Sequence, residues 1–204
     1  MRFQNTIKTI AACAVLASVS VLFSACSKSP PEFRGVDISQ VDYARDFAPL
    51  ADQYGQPRSI KDFKGKVVVV FFGYTQCPDV CPTSMQEVAE VKRMLGADGE
   101  RLQSIFVTVD PERDTPEMLK AYMANFDPSF LALHGSAEQT AAVAKDFKIF
   151  YKKVEGKTPT SYTMDHSAGS YIYDTQGRLR VYYRYGSGVD AMAHDVKALL
   201  QEAG

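Results

Sequence analysis

The feature that most limits how this chain can fold is the apolar run at residues 67–72, Val-Val-Val-Val-Phe-Phe, between Gly65 and Gly73. A short unbroken run of Val and Phe bounded by glycines indicates a strand buried on both faces of a sheet. Such a strand needs cover on both sides, which predicts an α/β domain. The chain has 204 residues and no internal repeat, so one domain with its own core is expected.

The other elements follow from local signals. Thr115-Pro116 places a capping hydroxyl before a proline, which predicts a helix that begins at Pro116. Thr175-Gln176-Gly177 separates two apolar runs and predicts a hairpin. The remaining predictions are a helix over 83–95, a strand over 102–109, a helix over 136–147, hairpin strands over 170–174 and 179–185, and a helix over 189–200. This order predicts a thioredoxin-like, three-layer α/β sandwich with an inserted helix and a C-terminal hairpin and helix.

The N-terminus has the pattern of an export segment. Arg2 and Lys8 precede an uncharged stretch over 9–27 that is rich in Ala, Val, Leu and Ser. A basic head followed by an apolar body is typical of a signal sequence. The remaining chain is therefore expected on the extracytoplasmic, periplasmic side of a membrane and tethered to it.

A lipid anchor is predicted at Cys26. Phe23-Ser24-Ala25-Cys26 has small residues before a cysteine, the pattern of a lipobox, so residues 1–25 are expected to be removed and Cys26 to carry lipid. An uncleaved signal anchor is the alternative, because the apolar stretch is long enough to span a bilayer. Residues 26–40 are then predicted to be a linker, and residues 41–204 the domain.

Charge and cysteine content exclude several classes of protein. The chain has 23 Lys+Arg and 24 Asp+Glu, a net charge of −1, and lacks the basic footprint of a nucleic-acid binder. Its charged fraction of 23% and aromatic fraction of 11% argue against disorder. Four cysteines are too few for a disulfide-stapled mini-domain. They are Cys13, Cys26, Cys77 and Cys81.

Two of these cysteines follow the predicted central strand, in Cys77-Pro78-Asp79-Val80-Cys81-Pro82. Sites in open α/β sheets form at the carboxyl ends of central strands. A helix that began at Pro78 would carry Pro82 in its interior at a cost of about 3 kcal/mol. The helix is therefore expected to begin at Pro82, with both cysteines in a loop over its N-terminus, where the helix dipole favours thiolate.

Three kinds of chemistry suit this pair. Cys77 and Cys81 could form a redox-active disulfide, although three residues separate them instead of the two usual in dithiol oxidoreductases of this fold. Two soft thiolates also suit Cu(I) and leave room for a third ligand. A purely stabilising disulfide is the third possibility, but it would close a very short loop and restrain little of the chain.

A third ligand is expected to be an imidazole, and the chain has three histidines. His194 lies roughly opposite the apolar face of the last predicted helix, so it is expected to be solvated. His134 ends an apolar stretch before a helix and is expected in a loop or as a capping residue.

His166 is the favoured candidate for this ligand. It directly precedes the strand predicted at 170–174, where thioredoxin-like proteins carry a cis-proline packed against the cysteine pair. Ser167 and Ala168 occupy that stretch here. An imidazole is therefore expected opposite the two thiolates, with Asp165 available to orient it or to tune the charge of the site.

Three segments together resemble the SCO (SenC) family. They are Phe72-Gly73-Tyr74-Thr75-Gln76-Cys77-Pro78-Asp79-Val80-Cys81-Pro82, Val109-Asp110-Pro111-Glu112-Arg113-Asp114-Thr115-Pro116 and Asp165-His166-Ser167-Ala168. The resemblance implies a membrane-tethered, thioredoxin-like copper metallochaperone that binds copper, as Cu(I) or Cu(II), through Cys77, Cys81 and His166. It also implies a role in the assembly of cytochrome c oxidase. The implied partners are the oxidase subunit that carries the CuA centre and a copper donor or thiol reductant.

Two main hypotheses follow, and enzyme activity stays open between them. A copper carrier needs Cys77, Cys81 and His166, and delivers copper to the CuA centre. A thiol:disulfide oxidoreductase cycles the two cysteines between dithiol and disulfide and needs no His166. A thiol peroxidase, suggested by Val80-Cys81-Pro82-Thr83, explains neither Cys77 nor His166.

Overall fold

The described part of the chain, residues 31–158 and 161–202 of a computed structural model, contains nine strands and four α-helices. The strands are β1 (Val36–Asp37), β2 (Ala51–Asp52), β3 (Val67–Gly73), β4 (Leu102–Thr108), β5 (Leu131–His134), β6 (Tyr151–Val154), β7 (Thr163–His166), β8 (Ser170–Tyr173) and β9 (Leu179–Tyr183). The helices are α1 (Val80–Met94), α2 (Pro116–Ala124), α3 (Ala137–Asp146) and α4 (Val189–Glu202). Short 3-10 helices cover Ile60–Phe63 and Gly96–Arg101.

The predicted central strand is β3, and all of its residues are buried. It lies between β8 and β4 in a sheet of order β1-β9-β8-β3-β4-β5-β2. β3, β4 and β5 run parallel, whereas the other strands of this sheet pair antiparallel with their neighbours. β6 and β7 form a separate antiparallel pair, called the ribbon below.

Both faces of β3 are covered, as an unbroken apolar strand requires. Successive side chains of a strand point to opposite faces, so Phe71 and Phe72 pack in different layers. The ring of Phe71 lies 6.2 Å from that of Phe106 on one face. On the other face, Phe72 lies 4.9 Å from Phe147, the residue that ends α3. The predicted α/β sandwich is confirmed.

Local signals placed several elements correctly. Thr115 caps α2, its side chain accepting a hydrogen bond from the Met118 N–H, and Pro116 is the first helical residue. Ser136 caps α3 in the same way. β8 and β9 form the predicted hairpin, and α4 follows it.

The predicted start of α1 at Pro82 is wrong. The helix begins at Val80, so Cys81 lies in its first turn and Pro82 is its third residue. The first four N–H groups of a helix have no partner within the helix. A proline in this turn therefore removes no hydrogen bond, and the penalty expected for a helix interior does not apply.

The part of the predicted linker that the structure describes, 31–40, is not free of the domain. Val36 and Asp37 form β1 and pair with β9. The backbone N–H groups of Arg34 and Gly35 donate to the buried Asp195 carboxylate at about 3 Å. The edge of the sheet thus begins before residue 41.

Strands were missed where they are short. β5 ends at His134, which was predicted in a loop or as a cap. β7 ends at His166, so this residue lies in the ribbon, in a strand that the sequence did not indicate. The predicted leader at 1–25 and the lipid site at Cys26 fall outside the described residues. Among the residues that are described, no helix has the length and apolar character to cross a bilayer.

Candidate metal centre

Three predicted ligands meet at one end of β3. Cys77 lies in the loop after β3, Cys81 in the first turn of α1, and His166 at the end of β7. Their ligand atoms all lie within 4.8 Å of one another. His166 Nε2 is 3.3 Å from Cys81 Sγ, although the two residues are 85 positions apart in sequence. The predicted set of ligands is therefore brought together by the fold.

Cys81 is held against the backbone of β3. It is fully buried, and a Cβ atom at Gly73 would lie 2.7 Å from its sulfur. Only glycine at position 73 leaves room for this approach. Cys77 is less buried, and its sulfur accepts a hydrogen bond of 3.4 Å from the Cys81 backbone N–H. One thiol thus faces the interior and the other lies near solvent.

The two thiols differ in acidity. The hydrogen bond from the Cys81 thiol lowers the pKa of Cys77 to about 3, against the effect of burial, and contacts with His166 and the Asp79 N–H act in the same direction. The same hydrogen bond, together with burial, raises the pKa of Cys81 above its usual range. At neutral pH the metal-free pair therefore holds one thiolate and one thiol. Binding of a metal by both sulfurs releases the remaining proton.

The His166 ring is oriented by its neighbours. Its Nδ1 lies 2.9 Å from the carbonyl oxygen of Ser167. A proton on Nδ1 satisfies that oxygen and leaves the Nε2 lone pair directed at Cys81. The rings of Phe71 and Tyr74 stand edge-on to the imidazole at 6.2 and 5.9 Å. The orienting group is thus a backbone carbonyl and not Asp165, which is exposed.

A buried carboxylate fixes the start of the cysteine loop. Asp114 accepts hydrogen bonds from the Thr75 N–H at 3.1 Å and from the Thr75 hydroxyl at 2.6 Å. The Thr108 hydroxyl donates to Asp114 Oδ2 at 2.6 Å, the oxygen that also accepts the Thr75 N–H. Burial raises the pKa of Asp114. Nothing in the sequence pattern assigned this residue a role, because the loop residue that it holds, Thr75, lies 39 positions away.

The other two histidines lie outside this cluster. His194 is exposed on α4, as predicted, with Nδ1 at 2.8 Å from Asp195. His134 is half-buried at the end of β5, and its Nε2 has no hydrogen-bond partner among the described residues. Neither belongs to the metal-binding group found in the described part of the chain.

The donor set restricts the metal. Two sulfurs and one imidazole suit soft and borderline ions, Cu(I) above all, and do not suit Mg²⁺ or Ca²⁺. Within the described residues neither cysteine forms a disulfide, so both sulfurs are available to bind a metal. Cys77 at the rim gives an ion or a partner access to the centre.

Comparison with known proteins gives the same assignment. The SCO1/SenC family model matches residues 37–201. An SCO2-like protein of Rickettsia felis is 36% identical over 200 residues, which cover 94% of this chain and 97% of the relative. The structure of Bradyrhizobium japonicum ScoI with copper bound is 39% identical and covers 80% of this chain and 97% of that one, with a TM-score of 0.67. Apo Sco1 of Thermus thermophilus is 37% identical, covers 82% and 97%, and has a TM-score of 0.72. With its fold, its three motif segments and this match over the whole domain, the chain belongs to the SCO1/SenC family.

Proposed function

We propose that this protein binds copper as cargo through Cys77, Cys81 and His166 and serves the assembly of cytochrome c oxidase. The convergence of the two sulfurs and Nε2 within 4.8 Å carries the proposal. The similarity to ScoI, which has been solved with copper bound, supports the choice of metal.

The unequal burial of the ligands suits a carrier. Cys81 is inaccessible, whereas Cys77 and His166 are partly exposed. An acceptor cysteine can therefore displace the outer ligands first while Cys81 still holds the ion. A centre with three ligands also leaves a position at which the incoming sulfur can bind before another leaves.

Copper titration of histidine variants tests the site. The full chain, purified in detergent and kept reduced, is titrated with Cu(I) in competition with a chelator. We expect His166→Ala to lower affinity by at least about tenfold, as loss of an oriented ligand does. His194→Ala is the matched control, because His194 is exposed and lies outside the cluster. Cys81→Ser should cost more than His166→Ala, because it removes a charged soft donor.

The outcomes separate clearly. Unchanged affinity in His166→Ala means that the three-ligand site is wrong. Equal losses in the His166 and His194 variants mean that the effect is not local. Failure of the wild-type chain to bind Cu(I) at all rejects the copper proposal as a whole.

A thiol:disulfide oxidoreductase is the second candidate, supported by the low pKa of Cys77. The Cys77 thiolate would attack one sulfur of a partner disulfide and release the other partner sulfur as thiolate. Cys81, losing its proton to that leaving group or to water, would then attack the mixed disulfide. The products are a Cys77–Cys81 disulfide and a partner dithiol, a transfer of two electrons.

His166 distinguishes the two candidates. Reduction of an oxidised CuA-domain partner by the metal-free chain needs both cysteines but no third ligand. Rapid reduction that persists in His166→Ala favours the oxidoreductase. Copper transfer that is lost in the same variant favours the carrier.

The proposed location is the extracytoplasmic face of a membrane, with the chain tethered through Cys26 or an uncleaved anchor. The CuA-bearing subunit of the oxidase is the proposed partner there. Cys26→Ser should abolish incorporation of radiolabelled fatty acid and release the chain from membranes. Retention without label would assign the tether to a spanning segment.

A further inference from the structure

His166 lies on β7, a strand that does not pair with the main sheet. The ribbon of β6 and β7 has no strand pairing with the sheet of β3 among the described residues. The cysteine loop, in contrast, follows directly from β3. The distance between His166 and the two cysteines therefore depends on the short link from His166 to β8, which pairs with β3, and on contacts that bridge the loop and the ribbon.

Arg113 is such a bridge. Its Nη1 donates to Gln76 Oε1 at 3.1 Å and to the Tyr162 carbonyl oxygen at 2.9 Å. Gln76 directly precedes Cys77, and Tyr162 directly precedes β7, the strand that ends at His166. One guanidinium nitrogen thus links the two segments that carry the ligands.

The guanidinium is itself fixed from two sides. Its Nε forms an ion pair with Asp110, and its carbon lies 3.5 Å from the centre of the Tyr162 ring. The Tyr162 hydroxyl donates to the other Asp110 oxygen at 2.7 Å. The Arg113 and Asp110 side chains are 15% and 3% exposed, so solvent screens this pair little. A planar, stacked and multiply bonded guanidinium has one geometry, which lysine cannot reproduce.

The other polar link from this segment to the ribbon is weaker. Lys153 lies 3.2 Å from Glu112, but their side chains are 37% and 68% exposed. Exposed ion pairs contribute little to stability. Among these contacts, the buried group of Arg113, Asp110 and Tyr162 is best suited to fix the ribbon.

We propose that Arg113 is a positioning residue of the metal centre, which holds the ribbon against the cysteine loop and so keeps His166 Nε2 beside Cys81 Sγ. It contacts none of the three ligand side chains described above. Part of the test rests on the proposed copper function, and part does not.

Copper affinity measures the first part. In the full chain, Arg113→Met is expected to lower Cu(I) affinity by up to the loss measured for His166→Ala, because Arg113 affects the bound ion only through the position of His166. Arg113→Lys is expected to recover little, since one ammonium cannot replace the stacked fork. In a His166→Ala background, Arg113→Met should add no further loss, because Arg113 acts through His166.

Arg58→Met is the matched control. Arg58 makes a 2.7 Å ion pair with the buried Asp52 on β2, an edge strand that pairs with β5 and not with the ribbon. It should lower stability without changing Cu(I) affinity. Gln76→Ala removes one end of the bridge at an exposed residue and covers the case in which Arg113→Met does not fold. It should give a smaller loss of affinity in the same direction.

Hydrogen exchange of the metal-free chain measures the second part. Arg113→Met should speed exchange of the ribbon amides and leave those of α4 unchanged. Two results of the copper titrations would overturn the inference. One is wild-type Cu(I) affinity in both the Arg113→Met and the Gln76→Ala variant, and the other is a further loss of affinity when Arg113→Met is added to His166→Ala.

If the wild-type chain binds no Cu(I), the proposed function fails. Unchanged hydrogen exchange of the ribbon amides in Arg113→Met would then overturn the positioning role by itself.

Discussion

Cys77 and Cys81 carry the same functional group and differ through their surroundings. Because the pKa of Cys77 is lowered to about 3, this residue is a thiolate throughout the neutral range. Cys81 is buried and protonated. Cys77 is therefore the first of the two cysteines to react with an electrophile, whether an alkylating agent or a disulfide.

This difference predicts the alkylation behaviour of the metal-free, reduced chain. Cys77 should react with iodoacetamide before Cys81, at a rate that is nearly constant from about pH 5 to about pH 8, because its thiolate fraction does not change there. Peptide mass spectrometry at timed intervals gives both rates. In Cys81→Ala the hydrogen bond to Cys77 is lost, so the Cys77 rate should acquire a pH dependence. A tenfold rise per pH unit in the wild type would contradict the assignment.

At this scale the sequence predicted the three candidate ligands that the fold brings together, but not the residues that support them. Cys77, Cys81 and His166 could be chosen because the order of elements places them at the carboxyl end of β3. Gly73, Asp114 and Arg113 could not be assigned, because their roles depend on which groups the fold brings against them, as it brings the Cys81 sulfur against Gly73. The Arg113 contact with Tyr162 spans 49 residues, and no local periodicity encodes it.

At the scale of elements, β1 shows how a short strand is held. It has two residues, both exposed, and strands of this length are not stable without further contacts. The Asp195 carboxylate of α4 accepts hydrogen bonds from the backbone N–H groups of Arg34 and Gly35, which directly precede β1. It also accepts the Tyr183 hydroxyl of β9 at 2.5 Å. One buried side chain thus joins α4, β9 and the segment that leads into β1.

Loss of this carboxylate should be costly. Asp195→Ala leaves several donors without an acceptor, and we expect a loss of about 3 kcal/mol in the free energy of unfolding. Urea unfolding followed by circular dichroism measures it. Asp42→Ala is the control, since this side chain is 92% exposed and its removal should cost less than about 0.5 kcal/mol. Equal losses of unfolding free energy in the two variants would show that the Asp195 carboxylate does not stabilise the fold through these hydrogen bonds.

The same carboxylate predicts a dependence of stability on pH. Burial raises the pKa of Asp195, but hydrogen bonds from His194, Tyr183 and the backbone outweigh it, so the pKa lies below its usual value of 3.8. Folding therefore favours the ionised form. This stabilisation is present above about pH 4 and is lost as the pH falls through the lowered pKa. Urea midpoints of the wild type and Asp195→Ala should therefore converge below about pH 4, and a constant difference would contradict this account.

Elements were predicted well where their signals are local and long. The apolar run of β3 and the caps of α2 and α3 are of this kind. β2 and the ribbon were missed because strands of two to four residues show too little alternation to be recognised alone, whereas β8, equally short, was marked by the turn at Thr175-Gln176-Gly177. The start of α1 was misplaced because the prediction applied to Pro82 the free-energy cost of a proline in a helix interior. In the first turn, where Pro82 lies, that cost does not arise.

For the whole molecule, copper should act as a stabilising ligand. A ligand that binds the folded state raises stability by mass action, by about 2.7 kcal/mol at a free concentration one hundred times Kd. Cu(I) should therefore raise the Tm of the reduced chain, less in His166→Ala and not at all in a Cys77→Ser/Cys81→Ser double variant. Differential scanning calorimetry measures the shift. An equal rise in the double variant would place the ion elsewhere.

The separation of His166 from Cys81 by 85 residues also bears on the order of events during synthesis. In an unfolded chain copper can bind the two cysteines, which are close in sequence. The His166 imidazole becomes a third ligand only after β3 and the ribbon have packed together. Copper affinity should therefore be higher in the folded domain than in the unfolded chain. If the proposed carrier function holds, a misfolded chain should bind copper more weakly than a folded one, because it lacks the imidazole ligand, and should lose the ion to competing thiols.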